Sequence, residues 1–140
     1  MKKKLTVLLF AIVLSAMVLS ACAGAPSAVA DKPVPAEYAG KTNPFAGQAD
    51  AADAGKMIYT DNCASCHGDS GKGDGPAGGS LDPKPADLAT LQSTKSDDFL
   101  NWVISEGGPA NGKSASMVAW KGTLSEDEIW QVVAYLHTLK

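Results

Sequence analysis

Cys63-Ala64-Ser65-Cys66-His67 is the stretch of this sequence best equipped for chemistry. Two cysteines three positions apart, with a histidine directly after the second, match the spacing that attaches a c-type haem. Each thiol adds across one porphyrin vinyl group, so a single short turn forms two thioethers. The adjacent histidine then offers a ring nitrogen to the iron as proximal ligand. Other uses of these residues fit less well. A redox dithiol calls for a preceding strand and has no need of the histidine. A structural zinc site needs a fourth ligand, and the remaining cysteine, Cys22, lies far upstream.

An iron held this way has a sixth position to fill or leave open, and methionine and histidine are the candidates. Met57 precedes the motif by six residues on the same expected helix, too close to reach across the haem plane. His137 falls in the last turn of the final helix, where a histidine is commonly solvated. Met117 follows His67 by fifty residues in a small, polar loop, which is long enough to bring it to the opposite face. It is assigned as the distal ligand on that ground, with core packing as its alternative role. His/Met ligation closes the site to substrate and suits one-electron transfer. An open sixth site would instead define a haem sensor or a peroxidase-like enzyme.

The elements that must position these residues read as helices. A first helix is expected from about Ala51 to Asn62, capped by Asp50, with Ala51, Gly55, Ile58 and Asn62 on one stripe. Gly55 lowers helix stability by about 1 kcal/mol relative to alanine, which suggests a second helix crossing close by. The run from Gly68 to Gly79 is too glycine-rich for helix or strand and is expected to wrap the haem edge. A phosphate loop is excluded, because Gly73 follows Lys72 where Ser or Thr is required. A short helix is expected near Asp87 to Leu91, and a second amphipathic helix from Asp97 to Glu106, N-capped by Ser96 and stopped by Gly107-Gly108-Pro109. The last helix has the strongest start signal: a Ser125/Glu128 capping box and a Leu124/Ile129 staple, followed by Val132, Val133 and Leu136. No strand pattern appears, so the fold class is all-α, three to four helices around one covalent haem c.

The 140-residue chain is long enough for one modest domain. Lys2, Lys3 and Lys4 precede an apolar run from Leu5 to Leu19, the layout of an export signal. Leu19-Ser20-Ala21-Cys22 resembles the bacterial lipobox, which implies cleavage before Cys22 and acylation of its sulfur. That use of Cys22 leaves no thiol over for a disulfide. Residues 1–21 are thus expected as a lipoprotein signal peptide, 22–48 as a lipid-anchored Pro/Ala-rich tether, and 49–140 as the haem domain. Tyr38 and Phe45 are unusual in a pure spacer, so docking of that stretch on a neighbouring protein is a second reading. After cleavage nine lysines face fifteen acids, a formal net charge of −6. That balance argues against nucleic acid as a partner.

The region from about Asp50 to Lys140 resembles a class I cytochrome c. Gly55, Tyr59 and Cys63 match that family's Gly-x3-aromatic-x3-Cys helix. The resemblance implies that Gly55 crosses the last helix near Val132 and Tyr135, and that the carbonyl of Pro85 holds the His67 ring. It also implies that Met117 is the axial methionine, although Val118 stands where proline usually follows; Trp120 keeps a common aromatic position. The lipobox, Tyr-Ala-Gly-x-x-Asn-Pro, Cys-Ala-Ser-Cys-His-Gly and Gly-x-Gly-Asp-Gly-Pro together are similar to the mono-haem lipoprotein subunit of bacterial alternative complex III. The resemblance implies an electron carrier, not itself an enzyme and with no small-molecule substrate. It would be anchored at the outer face of a bacterial cytoplasmic membrane through Cys22. Its redox partners would be a quinol-oxidising complex, a soluble carrier or a terminal oxidase.

Overall fold

A computed structural model describes residues 31–140; the export signal, Cys22 and the first part of the expected tether lie outside the described residues. Among the described residues five α-helices form: α1 (Ala49–Asn62), α2 (Ala64–His67), α3 (Leu88–Leu91), α4 (Asp97–Glu106) and α5 (Glu126–Leu136). Single 3-10 turns lie at Gly78–Ser80 and Gly108–Asn111, and no strand occurs among the described residues.

The frame is the crossing of α1 and α5. Ser125 starts α5 with a complete capping box: its hydroxyl accepts from the Glu128 backbone N–H, and the Glu128 carboxylate accepts from the Ser125 N–H. The helical spacing then buries Ile129, Val132, Val133 and Leu136 against the core. Each such side chain stabilises the fold by about 1.5–3 kcal/mol when fully buried. On α1 the buried stripe is Ala51, Gly55 and Tyr59, with Ile58 only half-buried. A Cβ at Gly55 would lie 1.9 Å from the carbonyl oxygen of Gln131 and 2.9 Å from the backbone nitrogen of Val132. Only glycine lets the two backbones meet. One turn further on, the Tyr59 and Tyr135 rings pack with centroids 5.1 Å apart.

Two helix starts differ in detail from the expectation. α1 begins at Ala49, so Asp50 lies inside its first turn instead of capping it. Gln48 occupies the cap position; its carbonyl accepts from the Ala52 N–H, while its side-chain amide turns back to the Pro44 carbonyl. α4 spans Asp97–Glu106 with Ser96 at the cap position, but the Ser96 hydroxyl donates to the Asp98 carboxylate and caps no backbone N–H. Gly107, at φ +78°, closes α4.

The described part of the expected tether is not a spacer. Residues 31–48 lie along the domain as a strap, with Val34, Tyr38 and Phe45 packed against the core. The Tyr38 hydroxyl donates to Glu106, the Gly40 N–H to Asp98, and the buried Asn43 amide to the Trp130 carbonyl. The two aromatic residues therefore dock on their own domain. A Pro/Ala-rich stretch has no periodic face to bury, yet three apolar anchors and backbone donors suffice to hold it in an irregular conformation.

Candidate haem site

The Cys63–His67 stretch folds as one helical turn. Cys63 ends α1, and its carbonyl accepts from the Cys66 and His67 N–H groups at 3.1 and 2.9 Å. Both thiols and the imidazole therefore come from a single turn, as thioether attachment with histidine ligation requires. Cys63 and Cys66 are free thiols, half-buried. Burial, then the neighbouring Cys66, pushes the Cys63 thiol up to about 11, so it is protonated at neutral pH. The turn is tied to the helix crossing by the Tyr59 hydroxyl, which donates to the Gly68 carbonyl at 2.7 Å.

The glycine-rich loop folds back beneath this turn. The Gly73 N–H donates to the His67 carbonyl and the Ala77 N–H to the Ser65 carbonyl. A Cβ at Gly78 would sit 2.2 Å from the Cys66 carbonyl oxygen, and one at Gly73 the same distance from the Pro85 carbonyl oxygen. These glycines make close approaches to the protein's own backbone, and the loop buttresses the attachment turn.

His67 Nδ1 is buried and makes no well-formed hydrogen bond. Burial lowers its pKa, opposed by the backbone of Ala86 beside it. The bond from Nδ1 to the Pro85 carbonyl that the resemblance implied is not formed here. Gly73 packs directly on the Pro85 carbonyl, which turns that group toward the loop. The neutral ring favoured by burial is the form that ligates a metal.

The distal candidates separate clearly. His137 engages both ring nitrogens, Nε2 with Asp97 at 2.7 Å and Nδ1 with Gln92 at 3.0 Å. Met57 is 66% exposed on α1. Met117 is half-buried on the loop after the second 3-10 turn. That loop is tied to the second 3-10 turn by the Gly108 N–H, which donates to the Met117 carbonyl at 2.9 Å, and to α4 by the Trp120 N–H, which donates to the Ile104 and Ser105 carbonyls. Residues that sequence reasoning missed include Asn101 on α4, 2% exposed, whose Nδ2 has no protein acceptor. The single-turn dithiol and the buried imidazole without a hydrogen-bond partner at Nδ1 together fit a covalently held haem.

An all-α fold with one attachment turn, and a partly buried methionine on a separate loop, defines the class: a mono-haem c-type carrier domain. A family model described as Cytochrome c matches residues 52–140, and the chain belongs to that family. Its cofactor is accordingly haem c, and its role is electron transport. Curated relatives include the cbb3-type cytochrome c oxidase subunit FixPc of Rhizobium leguminosarum bv. viciae, 34% identical over 88 residues, or 63% of this chain and 28% of the relative. Another is the cbb3-type subunit CcoP of Azospirillum brasilense, 32% identical over 104 residues, or 74% of this chain and 34% of the relative. The chain thus spans about a third or less of these relatives' length. Among solved structures, cytochrome CL from Methylophaga aminisulfidivorans matches with a TM-score of 0.53 at 24% identity, covering 69% of this chain and 58% of that one, which shows the shared fold.

Proposed function

We propose that this domain carries single electrons through one haem c held by Cys63 and Cys66, with His67 as proximal and Met117 as distal iron ligand. The observation that carries the reading is the single turn that presents both free thiols and the imidazole together. The bound group supplies a ferric/ferrous couple. The chain's own residues do the rest: α2 fixes the attachment points, and the pinned loop offers the Met117 thioether while excluding other ligands. The described residues contain no cluster of three or more His, Cys, Asp or Glu side chains that would hold a separate metal ion.

Cys22 is the proposed lipid anchor at the outer face of a bacterial membrane. Eight residues separate Cys22 from Asp31, the first described residue of the strap. Their fully extended reach is about 30 Å, so the anchored domain would stay close to the membrane and serve a partner in the same assembly. Similarity to oxidase subunits supports a membrane oxidoreductase as that partner. The quinol-oxidising alternative complex III remains the reading that the N-terminal motifs favour.

The test is Met117→Ala in protein purified from detergent-solubilised membranes. The ferric wild type should show the weak red charge-transfer band of methionine–iron ligation and should not bind carbon monoxide when reduced. The variant should lose the band, lower its reduction potential and bind carbon monoxide. An unchanged spectrum and potential would refute the assignment and favour the open-site sensor or enzyme. Intact mass of the same preparation reads the state of Cys22, and the co-purifying subunits identify the partner.

A further inference from the structure

The Met117 loop is held from a distance by the beginning of the strap. Asn111, at the end of the second 3-10 turn, is 2% exposed. Both ends of its side-chain amide are engaged by two consecutive strap residues. Its Nδ2 donates to the Asp31 carboxylate at 3.0 Å, and its Oδ1 accepts from the Lys32 backbone N–H at 2.8 Å. The Lys32 ammonium adds a bond to the Ala110 carbonyl at 3.0 Å. Asp31 also pairs with Lys113 on this loop at 3.2 Å and with Lys95, just before α4, at 2.5 Å. The strap residues are thus joined to residues about eighty positions away.

From Asn111 the link to Met117 is short. The Lys113 N–H donates to the Gly108 carbonyl, and the Gly108 N–H donates to the Met117 carbonyl. A Cβ at Gly108 would lie 3.1 Å from the Met117 Cβ, so the 3-10 turn and the methionine are in direct contact. A 3-10 turn this short has little stability of its own. The buried amide and the Asp31 ion pairs add to the few contacts that keep it in place.

We propose that Asn111, clasped by Asp31 and Lys32, is a positioning residue: the strap latches the Met117 loop and sets how readily the thioether leaves the iron. This rests on Met117 being the distal ligand. The latch acts on ligand exchange because releasing Met117 moves its own loop, and any contact broken by that movement adds to the free energy of release. Removing the latch lowers that free energy while Met117, the bound state's ligand, stays in place.

The experiment titrates imidazole into the ferric, haem-loaded full-length protein and follows loss of the methionine–iron band. Asn111→Ala should retain the band without imidazole and bind imidazole about tenfold more tightly, a factor that corresponds to about 1.4 kcal/mol. Asp31→Ala, which changes a partly exposed side chain and leaves the buried amide in place, should shift the same way by a smaller factor. It also carries the test should Asn111→Ala fail to fold. Tyr38→Phe removes a strap contact to α4 and none to the loop, and should leave the imidazole affinity unchanged. A merely structural role would give all three variants a lower denaturant midpoint with no selective change in imidazole affinity, and that overturns the latch. Unchanged affinity in both Asn111→Ala and Asp31→Ala overturns it as well. A wild type without the band refutes Met117 ligation, and the latch falls with it; a wild type with the band and insensitive variants refutes the latch alone.

Discussion

Gly55→Ala is the sharpest probe of the α1/α5 crossing. The new methyl carbon would stand 1.9 Å from the Gln131 carbonyl oxygen and 2.4 Å from its carbon, and ordinary contact begins at 3.4 Å. The obstructing atoms are backbone, so no side chain can swing aside. The helices must part by about 1.5 Å, and a gap of even 0.5–1 Å forfeits a quarter to a half of the dispersion energy across it. The affected side chains include Tyr59, Val132 and Val133, the largest fully buried ones described. Overpacking of this kind costs about 1–3 kcal/mol. Alanine's better helix propensity returns about 1 kcal/mol. The steric cost lies at the upper end of its range because backbone meets backbone, which leaves a net loss of about 1–2 kcal/mol. With a urea m-value of about 1–3 kcal/mol/M, the midpoint should fall by roughly 1 M. Gly79→Ala is the control, since nothing lies within 4 Å of its added Cβ. A Gly55→Ala midpoint equal to or above that of the parent would refute the close crossing.

Two further outcomes follow from the polar contacts. Ser125→Ala removes the reciprocal cap of α5 and should cost about 1 kcal/mol, read as a lower urea midpoint with an unchanged visible spectrum. Asp31 is held down to about 2, first by the Lys95 hydrogen bond, with burial opposing and Asn111 and Lys113 adding to it. A carboxylate whose folded pKa is depressed contributes stability above its unfolded pKa, which is lost as pH falls through the folded value. The urea midpoint should therefore drop between about pH 4 and pH 2, and Asp31→Asn should flatten that part of the profile; an equally steep fall in the variant would show that other carboxylates account for it.

The parts of this protein legible in its sequence are those whose partners are near in the chain. The Cys63–His67 turn is complete within five residues. The α5 cap needs only Ser125 and Glu128, and the bounds of α4 follow from the apolar stripe and the glycine that closes it. Gly55 was legible because a glycine inside a helix costs stability that only a close backbone neighbour makes worthwhile. What was not legible depends on distant partners. Asn43 gains its role from Trp130 and Asn111 from Asp31 and Lys32, and polar residues in Pro/Ala-rich or small-residue stretches carry no periodic signal of such pairing. Tyr38 and Phe45 were the visible clue that the strap packs, without indicating against what.

That division runs through the site itself. The proximal half is local: attachment turn, buttressing loop and Tyr59 all lie within α1 and the residues just after it, so it forms wherever α1 packs on α5. The distal half is a short, irregular loop whose position depends on α4 through Trp120 and on the strap through Asn111. Local opening proceeds first where few contacts must break, so the loop should open well before the attachment turn does. A carrier works by keeping the same ligands in both oxidation states, and the thioether is the weaker of the two proposed ligands. The part of the fold that most needs holding therefore has the least structure of its own, and part of what holds it, beside α4, is a segment whose composition alone reads as spacer.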